Sequence, residues 1–226
     1  MRDINIFFKK KPLKMICLGF SSGLPILLVF STLSVWLVKA GVNRSTVTLF
    51  SWAGFAYAFK YLWSPLVDNY RLPIFKKFGH RRSWLLLTQV LIVISMVLTA
   101  FTEPQNNLFF TALFITLLAF FSATQDILID AFRIESAPQS LQGPLSSMYI
   151  AGYRIAMLVA GAGSLWLASL LGTEVYDQNT WKKVYIIMSI FMIIGIFATL
   201  SSEEPKSRKK LKSESHLKFL LSIFIA

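Results

Sequence analysis

Six long apolar runs, at 15–37, 47–67, 83–102, 108–131, 145–171 and 184–200, constrain this chain more than any other feature. A helix needs roughly 20 mostly apolar residues to cross the hydrocarbon of a bilayer, and most of the runs reach that length. The composition agrees. With 55% hydrophobic residues, only 15% charged ones and a mean hydropathy of +0.59, a chain of 226 residues lacks the polar surface of a soluble domain. Stretches such as 186–194 do not alternate apolar with polar residues, which argues against a transmembrane barrel of strands. The reading is an all-α multi-pass membrane protein whose six helices form one bundle, with Trp181 anchoring the short sixth span at the interface.

Lys9, Lys10, Lys11 and Lys14 precede the first run, as they would in a secretory signal. The run exceeds the roughly 7–15 residues of a signal core and no small-residue cleavage site closes it, so it reads as a span. Cys17, inside that span, has no second cysteine to pair with and reads as a small hydrophobe, lipid-facing or packed.

Threading six spans puts residues 1–14, 68–82, 133–144 and 201–215 on one side of the membrane. Those segments carry sixteen Lys and Arg residues, against Lys39, Arg44, Lys182 and Lys183 on the other side. By the positive-inside rule the rich side is cytosolic, amino terminus included. The net charge of +12 is therefore a matter of topology, spread over short loops, and not the single basic face of a nucleic-acid binder. The tract at 206–212 also suits anionic lipid. The organisation is a cytosolic segment at 1–14, a six-span bundle at 15–200, a basic linker at 201–215 and the start of a seventh span at 216–226. Residues 217–226 are too few to cross a bilayer, so the chain reads as half of a larger bundle.

Small residues recur every four positions in the fifth span, at Gly152, Ala156, Ala160, Ser164, Ala168 and Gly172, and more weakly in the first at Gly19 and Gly23. Such stripes let helices approach closely in lipid. Gly23-Leu-Pro25 has a second reading, as a break in a flexible, cavity-lining helix.

Charges inside the runs need an explanation, because each costs about 2.5–3.5 kcal/mol at a helix centre. Lys60, Asp126, Asp130 and Arg154 all fall in the cytosolic half, with Arg133 at its edge. Asp126, Asp130 and Arg133 share one helix face with Ser122. Two acids and two bases at similar depth predict a compensating network, either a structural lock or an ion or proton pathway. Nearer the cytosol, Asp68 followed by Gly79, His80, Arg81 and Arg82 reads as a latch that holds helix ends together. His80 reads as a solvated loop residue. With His216 as the other histidine there is no metal-ligand spacing, and neither a catalytic nucleophile motif nor a phosphate-binding glycine loop occurs, so no cofactor, metal or enzymatic activity is expected.

The loop from Asp68 to Gly79-His80-Arg81-Arg82 resembles the signature loop of major facilitator superfamily transporters, with Ser64 where the usual first glycine stands and a longer loop than the common form. Four further stretches, 19–25, 59–65, 123–133 and 152–154, together resemble the AmpG muropeptide permeases. The resemblance implies a bacterial inner-membrane carrier that imports anhydro-muropeptides, sugar-peptide fragments of peptidoglycan turnover, by symport with protons. It implies coupling or substrate-site roles for Asp126 and Asp130, and places Lys60 and Arg154 on the same cavity. Such permeases have two six-helix halves, so a missing or separate carboxy-terminal half is a further expected partner. Two alternatives stay open: a related carrier for another solute of the acetyl-CoA type, and a non-transporting membrane protein, either a truncated, decayed half-carrier or a helper that pairs with a second polypeptide through the fifth-span stripe.

Overall fold

A computed structural model describes residues 7, 9–72, 78–172 and 175–205. Arg2, Lys76 and Lys77, the tract at 206–212 and the expected start of a seventh span lie outside the described residues. Within them the chain is helical and contains no strand. The first span is α1 (Lys10–Val29) and α2 (Ser31–Lys39), interrupted at Phe30, whose φ of −108° and ψ of −81° leave the helical region. After it come α3 (Arg44–Leu49), a tight turn at Phe50–Ala53, α4 (Gly54–Ala58), a second tight turn at Lys60–Leu62 and α5 (Ser64–Asn69). The remaining spans are α6 (His80–Ala100), α7 (Leu108–Ser136), α8 (Gln139–Leu158) continued through a widened turn at Val159–Gly163 into α9 (Ser164–Leu171), and α10 (Gln178–Phe191) with α11 (Ile193–Ser201).

Among the described residues, five stretches are long and apolar enough to cross a membrane: Lys10–Lys39, His80–Ala100, Leu108–Ser136, Gln139–Leu171 and Gln178–Ser201. The second apolar run is not a single continuous helix. Pro65 has no N–H to offer the carbonyl four residues back, and it opens α5 afresh in the first turn, where a missing donor costs nothing. Two tight turns break the run further. The broken segment is tied to α7 by Trp63, whose Nε1 donates to Thr124 Oγ1 at 3.1 Å while its ring packs on Phe120.

The helices run up and down. One end gathers the starts of α1, α6 and α8 with the ends of α7 and α11: Lys11 Nζ donates to Ser136 O at 2.8 Å, Lys14 Nζ to Ser201 O, and Arg82 Nη2 to Leu200 O at 2.7 Å. These lysines and arginines meet the carbonyls that a helix terminus leaves unpaired; we call this the basic end. At the far end, α2 stops in a Schellman turn, with Gly41 N–H on Val38 O, Val42 N–H on Leu37 O and Gly41 at φ +75°. There Trp36 stacks on Trp181 at 5.9 Å and donates to Tyr176 OH, which donates to Glu103 Oε1 at 2.7 Å. Trp181 is thus core, 2% exposed, and not an interfacial anchor. Burial, and beyond it the Glu103 carboxylate, push the Tyr176 phenol up from its ordinary value. Asp177 caps α10 by accepting from Asn179 N and Thr180 N, and those amides hold its carboxyl below the usual range.

α1 packs chiefly against α8, and the small residues explain how. A methyl group on Gly19 would strike the Tyr149 backbone, one on Gly23 the Tyr153 backbone, and one on Gly152 the Ile16 backbone. Ala156, Ala160 and Ser164 continue the buried seam, where Thr32 Oγ1 donates to Ala160 O at 2.7 Å. Two expectations change. Gly23-Leu-Pro25 lies within continuous helix, where Gly23 serves close approach, and the break comes five residues later at Phe30. The fifth-span stripe is covered from within the same chain, by α1 along Gly152 and Ala156, by Thr32 of α2 at Ala160 and Ser164, and by Thr180 of α10 at Gly172.

Because backbone and not a movable side chain opposes any added atom, Gly152→Val should destabilise the bundle by about 1–3 kcal/mol or more. Gly143→Ala, with nothing within 4 Å of the added methyl, should leave stability unchanged or raise it. Thermal unfolding of both variants in detergent measures the difference.

Candidate functional site

Three helices and the broken second segment meet around Asp126. On α7, Ser122, Asp126, Asp130 and Arg133 follow one another on one face, and burial falls along it: Ser122 is fully buried and Asp126 is 8% exposed, while the Asp130 side chain is 49% exposed. Asp126 Oδ1 accepts from Ser22 Oγ of α1, and Ser22 Oγ is 2.8 Å from Tyr149 OH of α8. Lys60, in the turn between α4 and α5, brings Nζ to 3.8 Å from Asp126 Oδ2. The α1–α8 seam produces this meeting directly, since Ser22 precedes Gly23 and Tyr149 is the residue whose backbone Gly19 touches.

The four-charge network expected from depth divides. Lys60 serves Asp126. Asp130 pairs instead with Arg133 of its own helix, Nη2 to Oδ1 at 3.1 Å, and Arg133 Nη1 reaches Ser146 Oγ on α8. Arg154 joins neither acid; it is exposed, with Met157 Sδ 3.8 Å from Nη1, and no carboxylate lies within ion-pair distance among the described residues. The reason is helical geometry. Gly152 and Ala156 point at α1, and a residue two positions from each lies about 200° round the helix. Depth alone could not show this.

Three tyrosines passed over in the sequence complete the surroundings. Tyr57 of α4 and Tyr149 and Tyr153 of α8 all lie within electrostatic reach of Asp126. The signal for the α8 pair was available, because each falls three residues before a stripe position, Gly152 or Ala156, and therefore faces α1.

The latch forms at the basic end and is larger than expected. Arg81 Nη1 lies 2.5 Å from Asp68 Oδ1, while its Nη2 and Nε hold Glu135 at 2.7 and 3.1–3.2 Å in a forked pairing. Glu204 accepts from Arg81 N at 2.8 Å and Arg82 N at 3.0 Å, taking the place of the side-chain cap that Gly79 cannot supply. Gly79 has φ +88°, and a side chain there would collide with Glu204. Arg82 closes the end of α11 through Thr199 O and Leu200 O. His80 is not a solvated loop residue: it opens α6, half-buried, with Nε2 3.2 Å from Asp68 O. Nor are residues 201–205 a free linker, since Glu204 and Pro205 pack here. A cleft of about 720 Å³ also lies at this end, lined by Lys10, Lys11, Lys14, Glu135, Glu203 and Glu204, and does not reach Asp126.

Comparison with known proteins supplies the frame for this geometry. The family model of the Major Facilitator Superfamily matches residues 15–225. "Putative transporter AmpG 4" of Rickettsia felis is 36% identical over 222 residues, covering 97% of this chain and 52% of that protein. "Anhydromuropeptide permease" of Escherichia coli K12 is 38% identical over 203 residues, covering 89% of this chain and 39% of that protein. The chain thus spans about half the length, or less, of the curated relatives it matches.

Arg81→Ala should destabilise the bundle by about 2–3 kcal/mol, the cost of leaving Glu135 partly buried without its partner, discounted for the exposure of Asp68. Arg81→Lys should recover only part, because an ammonium cannot reproduce the fork. Chemical denaturation of the two variants in detergent checks the order.

Proposed function

The chain belongs to the major facilitator superfamily, and from that premise we propose that it is the amino-terminal half-bundle of a carrier that brings anhydro-muropeptides into the bacterial cytoplasm together with protons. In this reading it lies in the inner membrane with six spans, the broken segment at residues 44–69 serving as the second, and with its amino terminus and basic end in the cytosol. The loops' charge bias supports that orientation. The substrate class rests on the two named relatives and is carried here as a proposal.

One observation carries the coupling role: Asp126 is a buried carboxylate in an apolar bundle, held by one hydroxyl and facing one cation. A carboxylate so placed can take a proton, and when ionised it draws on Lys60. Protonation would free Lys60, which sits on a segment of short turns and not on a rigid helix, so charge and backbone can respond together. Asp130, half-exposed and already matched by Arg133, is better placed to meet a polar solute than to hold a proton. Arg154, exposed on α8, is placed to contact an anionic group of the solute. The Asp68–Arg81–Glu135 latch holds the basic ends of the broken second segment, α6 and α7 together in the state seen here.

Uptake of labelled anhydro-muropeptide in a strain lacking its own permease tests the reading, with this chain expressed alone and joined to the second half of a relative. Uptake in either form, abolished by Asp126→Asn and competed by unlabelled sugar-peptide but not by acetyl-CoA, is the expected result. Uptake that survives Asp126→Asn removes that carboxylate from the mechanism. Competition by acetyl-CoA alone moves the substrate class.

A further inference from the structure

Seven buried side-chain atoms among the described residues have no protein hydrogen-bond partner, and five of them sit at the level of Asp126: Tyr57 Oη, Gln89 Nε2, Ser122 Oγ and both amide atoms of Gln125. Native interiors leave very few polar atoms in that condition, so their concentration in one layer needs a cause. Ser122 stands one turn before Asp126 on α7 and three residues before Gln125, so both side chains border the same face. The Tyr57 hydroxyl faces Ser122 and the Asp126 carboxylate, without closing a hydrogen bond of ordinary geometry. Gln89 lies against Ser21 and Gly195, one residue along α1 from the serine that holds Asp126. The adjoining layer is different in kind: Leu118, Ile115 and Leu28 are fully buried, and Tyr185, equally buried, satisfies its hydroxyl on Leu28 O at 2.8 Å.

The donors and acceptors left over are of both kinds. Gln125 offers an amide N–H pair and a carbonyl oxygen, and the two hydroxyls can each give and accept. No single charged ligand suits such a set, whereas water does, since one internal water makes about three hydrogen bonds and roughly two would satisfy the group. We propose that Tyr57, Ser122 and Gln125 enclose an internal water site that adjoins the Asp126 carboxylate. Because Ser122 lies one turn of α7 beyond Asp126, the site extends the polar surroundings of the carboxylate by about 6 Å toward the far end of the bundle, away from Lys10. Its use as a route by which the coupled proton reaches Asp126 rests on the carrier reading above; the water site itself does not.

Radiolytic hydroxyl footprinting of the 226-residue chain in lipid nanodiscs reads the site directly, because radicals formed from a bound water oxidise the ring beside it. Tyr185 is the dry reference. The expected result is oxidation of Tyr57 several-fold faster than that of Tyr185, falling to the Tyr185 rate when the site is filled by Ser122→Val or Gln125→Leu. Equal rates at the two tyrosines in the unaltered chain would overturn the proposal, whatever the variants do. So would an unchanged Tyr57 rate in a filled variant that still melts cooperatively. Transport plays no part in this readout, so a dry Tyr57 leaves the carrier reading standing, and a failed uptake assay leaves the water site untouched.

Discussion

A carboxylate buried in an apolar bundle has to be matched, and the way Asp126 is matched orders much of what surrounds it. Lipid offers no solvation, so the charge draws on what the protein brings within reach: the Ser22 hydroxyl, the Lys60 ammonium and a set of tyrosine rings. None of these comes from α7 itself. Each depends on another segment being held at the right height, which makes the packing of α1, α8 and the broken segment part of the electrostatics.

The seam between α1 and α8 supplies that height. Gly19, Gly23 and Gly152 have no side chain to keep the helices apart, and the backbones meet. Dispersion between close-packed helices is the main source of association where no hydrophobic drive exists between helix and lipid. The same contact brings Ser22 beside Tyr149 and both beside Asp126. The packing seam and the surroundings of Asp126 therefore share residues, and the small residues serve both. At the basic end a second set of contacts does comparable work with charge instead of shape, Arg81 joining Asp68 to Glu135 while Glu204 caps α6.

Much of this was legible in the sequence, and the failures have physical causes. Apolar length located five long helical spans, because a helix is the cheapest way to satisfy backbone groups in lipid. Length could not show that residues 44–69 would break into short turns; Pro65 carried that signal, and hydropathy averages it away. The period of the Gly152 stripe indicated a close helix contact but not which partner would fill it. Depth put Asp126 and Lys60 in one network without saying which acid would meet which base, and the two lie 3.8 Å apart. Arg154 was assigned to the same group by depth and failed, because depth ignores the direction in which a helix faces. The tyrosines and Glu204 were missed for a simpler reason: neutral rings carry no charge signal, and Glu204 lies 123 residues from the Arg81 amide it accepts from.

The central claim is that Lys60 and Asp126 compensate one another inside the membrane, and a double-mutant cycle tests it most directly. Lys60→Met and Asp126→Asn each leave one partner unmatched, whereas the two changes together leave no charge to solvate. Measured by unfolding in detergent, the account predicts that the double variant is destabilised by clearly less than the sum of the single variants. Strictly additive losses would contradict it, and would mean that the two groups lie near each other without acting on one another.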